Sequence, residues 1–95
     1  VLQNIENLED LQNLGVETSK RLRSVGIKTP KDLAEVGAVD AYCMLKITYS
    51  DTTKVDVLIA IQGALMDVPW QDVPSVLSDN LKLEAWEILR VQNKI

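Results

Sequence analysis

Histidine and phenylalanine are both absent from these 95 residues, and cysteine occurs once. Without histidine the commonest general base, metal ligand and triad member is missing, which removes most hydrolytic designs. The lone thiol, Cys43, forms no intrachain disulfide; with no imidazole to activate it, it is expected to be a small buried hydrophobe. That usage, and the lack of a secretory succession near the start, points to a reducing cytoplasm. Aromatic residues are scarce, two Trp and two Tyr, so the core must be built from Leu, Val, Ile, Ala and Met, a mixture that suits packed helices better than a sheet. Long hydrophobic runs are missing as well. The run over residues 57–61 is far short of the roughly 20 residues that cross a bilayer, so no membrane span is expected. No glycine-rich phosphate loop is present, and the 14 carboxylates are scattered, so an enzyme, a cofactor and a bound metal are all unexpected.

What is there is enough apolar material, 46% of the chain, for one core without disulfides or metals. The expected fold is all-α: a compact bundle of about five short helices forming a single domain over 1–95, with 1–7 as a lead-in and 8–95 as the helical part. Leu8, Leu11 and Leu14 are expected to form a short turn that plugs the core. Asn13, Leu14 and Gly15 make a turn that opens a helix over 16–25 with Thr18, Leu22 and Val25 inward, and Gly26 ends it. Thr29, Pro30 and Asp32 are a capping signal for a short helix ending at Val36. Gly37 breaks the chain before a third helix over 38–47 that buries Ala41, Tyr42 and Leu45. Residues 50–53 read as a polar loop, with Thr53 and Asp56 as a second capping pair. The nearly all-apolar segment 55–66 predicts a helix enclosed on most sides, the centre of the domain. Two prolines make 68–74 a rigid, extended connector with Trp70 as a core plug. A last helix is expected over 78–92.

The net charge of −4 argues against a domain that wraps nucleic acid by overall attraction. Five of the ten basic residues, Lys20, Arg21, Arg23, Lys28 and Lys31, nevertheless fall between Glu17 and Asp32 with no acid among them. The segment that contains them resembles a helix-hairpin-helix, in which a tight turn delivers helix N-terminal amides to a phosphate. Gly15, Val16, Lys20, Arg23, Lys28 and Lys31 are the candidate nucleic-acid contacts on this reading. Against it, Val16 and Glu17 follow the glycine where DNA-binding hairpins commonly carry lysine, and Glu17 pairs naturally with Arg21 one turn on. The last helix has a second oddity. Leu77, Leu81, Ala85 and Ile88 form one stripe, whereas Leu83 and Trp86 point elsewhere, which makes these two the candidate protein-interaction residues.

Asn13-Leu14-Gly15, the step Val25-Gly26-Ile27 with Thr29 and Asp32-Leu33, and the run from Val36 to Tyr42 together resemble the C-terminal domain of the TfoX/Sxy family. The resemblance continues through Ala60, Gly63, Ala64, Val68, Trp70, Asp72 and Pro74, and covers about residues 8–82. The N-terminal half is also similar to the C-terminal domain of the bacterial RNA polymerase α subunit. The TfoX resemblance implies a bacterial regulator of natural competence, a family that helps turn on DNA-uptake genes together with the cyclic-AMP receptor protein. It implies a protein partner, either transcription machinery or another domain of a longer protein. Direct DNA contact is the alternative, and a homodimer is compatible with the second apolar face.

Overall fold

In a computed structural model, which describes residues 6–50 and 53–93, five α-helices follow one another: α1 (Val16–Ser24), α2 (Pro30–Val36), α3 (Ala38–Thr48), α4 (Val55–Met66) and α5 (Ser75–Asn93). Short 3₁₀ turns at Leu8–Asp10 and Trp70–Asp72 precede α1 and α5. No strand occurs among the described residues. The fold is all-α, as the composition predicts.

Each boundary has a local cause. Gly26, at φ 95°, lets the Ile27 amide reach back to the Leu22 carbonyl (2.9 Å) and its own amide to that of Arg23 (3.1 Å). This is the paired bonding of a left-handed C-terminal cap, and it turns Ile27 into the core beside Leu22. Thr29 and Asp32 form the predicted capping box: the Thr29 Oγ1 accepts from the Asp32 amide at 3.1 Å, and the Asp32 carboxylate accepts from the Thr29 and Lys28 amides. Gly37 separates α2 from α3.

Leu8, Leu11 and Leu14 are buried, as expected of the plug, and join Leu22, Ile27, Leu33, Leu45, Leu58 and Ile61 in one core. The helix in the middle is α3 rather than α4. It packs against α1, α2, α4 and α5, because small residues, Ala38, Ala41 and Cys43, let neighbours approach on several sides. The surplus apolar surface of α4 is left only partly covered at Ile59 and Ala60.

Five further expectations are corrected. Thr53 does not cap α4: it is buried, its hydroxyl donates to the Leu45 carbonyl at 3.4 Å, and Lys54 takes the cap position without a side-chain bond. The connector is not extended throughout, since Pro69 starts the 3₁₀ turn that carries Trp70. That turn aims Trp70 outward, 54% exposed, so it plugs nothing. The last helix begins at Ser75, three residues early, because the Pro74 carbonyl already accepts from the Ser78 amide at 2.9 Å. On α1 the buried positions are Ser19 and Leu22, with Thr18 and Val25 half-covered. Residues 1–5 of the lead-in and residues 51 and 52 of the polar loop lie outside the described residues.

Candidate functional site

The basic segment does not form an undivided patch. Gly15 caps α1 in an extended conformation with φ −90°, and the start of the helix has no side-chain cap bond among the described residues. Gly15 and Val16 are exposed as predicted, although open space around Gly15 shows that neither φ nor crowding demands glycine there. Asn13 adopts the left-handed conformation expected of it, at φ 71°. Lys20, Lys28 and Lys31 are exposed and have no ion pair among the described residues.

The two arginines are committed elsewhere. Arg21 pairs with Glu17 at 3.3 Å and lies over the Tyr49 ring, 5.1 Å from its centroid. Arg23 donates to the Glu9 carboxylate, tying α1 to the 3₁₀ turn at Leu8–Asp10. That bond holds the Glu9 carboxyl below its ordinary range and the Arg23 guanidinium above its own. The structure therefore keeps the three lysines of the sequence-predicted phosphate site free and ties Arg23 to an acid.

The opposite character is found on α5. Leu81 and Ala85 are buried against the rest of the core, with Leu77, Ile88 and Leu89 packed beside them. Leu83 and Trp86 fall on the outer side, where Val76 and Val91 join them, and all four are more than half exposed. Val76 and Leu83 are two helical turns apart, so the outer apolar residues follow the helix length rather than one turn. The sequence signal for this face was present in Leu83 and Trp86; Val76 was missed because the helix start was placed after it.

A third feature was not read from the sequence. A groove of about 550 Å³ runs between α4, the connector and the start of α5. Asp56, Ile59 and Ala60 form its α4 wall, and Asp79 and Lys82 its α5 wall. Trp70 and Val73 come from the connector. The connector is held by a pair of side chains from the turn before α1. Asn13 Nδ2 donates to the Val68 carbonyl at 2.9 Å and to that of Ala60 at 3.4 Å, while Asn13 Oδ1 accepts from the Trp70 amide at 3.0 Å. Gln12 Nε2 donates to both the carbonyl and the carboxylate of Asp67, the left-handed residue that ends α4.

The profile of the TfoX C-terminal domain matches residues 4–85. No curated protein matches the chain. Among solved structures, an uncharacterized protein from Listeria monocytogenes, crystallised in a triclinic form, superposes with a TM-score of 0.80 at 28% identity, over 86% of this chain and 92% of that one. A tetragonal form of a Listeria monocytogenes protein of unknown function gives 0.79 at 28% identity, over 86% and 99%.

Proposed function

This chain belongs to the TfoX C-terminal domain family, and we propose that it is a non-enzymatic interaction module that regulates natural-competence genes through protein contacts. The observation that carries this reading is the double-sided α5. A helix that already buries Leu81 and Ala85 presents Leu83, Trp86, Val76 and Val91 to solvent on its other side. Exposed aromatic and aliphatic side chains on one rigid element are the composition of protein-interface centres. The DNA-binding alternative is less well supported, because Arg23 is paired with Glu9, Arg21 with Glu17, and Glu17 stands in the first turn where a phosphate would dock.

The experiment compares two variants in a transformable bacterium that carries this chain as its sole source of the domain, reading a DNA-uptake-gene reporter. Leu83→Ser with Trp86→Ser abolishes activation while circular dichroism shows an intact fold, since both residues are exposed. Lys20→Glu with Lys28→Glu and Lys31→Glu leaves activation in place, and fluorescence anisotropy detects no salt-sensitive binding of a short duplex by the unmodified domain. The reverse pattern sinks the proposal in favour of direct DNA contact.

A further inference from the structure

The groove beside Trp70 is lined by none of Leu83, Trp86 and the basic residues of α1 and α2, although Asp79 and Lys82 stand one turn before Leu83 and Trp86 on α5, and its chemistry selects a ligand of one sign. We propose that it is a docking site for an extended peptide segment that places an arginine or lysine side chain against Trp70, between Asp56 and Asp79. The reading rests on Trp70, Asp56 and Asp79 and does not use Leu83 or Trp86.

Three observations carry it. Trp70 is half exposed at a groove rather than packed in the core, and its backbone is held on its N-terminal side by Pro69 and by the bond from its amide to Asn13. Among aromatic side chains, Trp offers the best face for a cation. The two carboxylates come from different helices, Asp56 from α4 and Asp79 from α5, and neither has a hydrogen bond or ion pair among the described residues. Lys82 is the one cation of the lining, equally unpaired, so the groove has two acids against one base. A phosphate or acidic peptide would meet that excess of negative charge; a guanidinium or ammonium satisfies it.

The floor explains why the ligand is a chain segment rather than a lone cation. Ile59, Ala60 and Val73 provide apolar surface for flanking side chains. Ser75 and Ser78 offer hydroxyls to a peptide backbone. A volume of about 550 Å³ lies within the range of ligand pockets, about 300–1,000 Å³.

The test is selection from a random heptapeptide phage library on the intact chain, followed by affinity measurement on the synthetic form of the most enriched peptide. The enriched sequences share a basic residue with apolar neighbours. Binding weakens about tenfold or more with Trp70→Ala and with Asp56→Asn plus Asp79→Asn, and tightens with Lys82→Gln. Leu83→Ser with Trp86→Ser leaves it unchanged, which separates this site from the α5 face. Circular dichroism verifies that each variant folds. Absence of enrichment, enrichment without a basic residue, or insensitivity to the Trp70 and aspartate changes overturns the proposal. Opposite signs at the aspartates and Lys82 overturn it in favour of an anionic ligand, and loss of binding in the Leu83 and Trp86 variant does so in favour of the other surface.

Discussion

An alanine at position 63 would place its Cβ 2.5 Å from Asn13 Nδ2 and 2.9 Å from the Val68 carbonyl oxygen. The amide nitrogen is the end of a side chain, but its bonds to Val68 and Ala60 prevent it from swinging away. Gly63→Ala is therefore expected to destabilise the fold by about 1–3 kcal/mol through overpacking. Asn13→Gly keeps the left-handed turn and removes the bonds to Val68 and Trp70, a loss of about 2 kcal/mol at roughly 1 kcal/mol each. Because the nearest obstacle to the alanine is Asn13 itself, the two changes together should cost less than their sum. A double-mutant cycle by urea denaturation measures this, and strict additivity would show that the clash lies elsewhere. Ser19 offers the opposite sign. It is fully buried on α1 and its hydroxyl has no partner among the described residues, so Ser19→Ala should raise stability by about 1 kcal/mol in the same assay. The left-handed turn at Asn13 was legible from the sequence. Its clamp on the connector was not, since Val68 lies 55 residues further along the chain and no spacing rule links the two.

Between elements, the contact with the clearest dependence on conditions is the Glu9–Arg23 pair, which fastens the first 3₁₀ turn to α1. The hydrogen bond from Arg23 lowers the Glu9 carboxyl in the folded chain. A depressed folded value means that the contribution is complete above the unfolded glutamate range and disappears as pH falls through the folded value. The stability difference between the wild type and Glu9→Gln should accordingly be largest near neutrality and shrink below about pH 5. Urea midpoints measured from neutral to acidic pH check this, and a constant difference would mean that the pair is not linked to folding. Patterns of two identical kinds fared differently at this scale. Thr29 and Asp32 close the box that their spacing predicts, whereas Thr53 and Asp56 have the same spacing and do not. The difference lies in tertiary demand: Thr53 is buried beside the end of α3, and the Leu45 carbonyl, which already accepts from the Tyr49 amide, takes its hydroxyl as well. The prolines around Trp70 restrict the backbone, but that restriction does not reveal direction, and the 3₁₀ turn leaves Trp70 exposed.

At the scale of the whole molecule, the question is whether α5 opens separately from the rest. The nearly all-apolar α4 is the centre that composition predicts, yet α3 occupies that place and packs against α5, with Cys43 buried at their contact. The Cys43 thiol is buried, 3.8 Å from the Ala85 carbonyl oxygen. Burial pushes its pKa up, and the charge of Asp40 adds to the effect, so access and ionisation both protect it from alkylation. Leu81 and Ala85 belong to the same core as Leu8, Leu22 and Leu58, and the connector that leads into α5 is clamped by Asn13. Lifting α5 thus exposes the centre of the only core among the described residues, which ties its opening to global unfolding. Cys43 labelling by a thiol reagent under native conditions should give an opening free energy equal to the urea-derived unfolding value within about 1 kcal/mol. Labelling much faster than that would mean that α5 detaches alone. In that case a partner on Leu83 and Trp86 would bind a moving helix and pay to dock it; if the values agree, the partner meets a surface already formed.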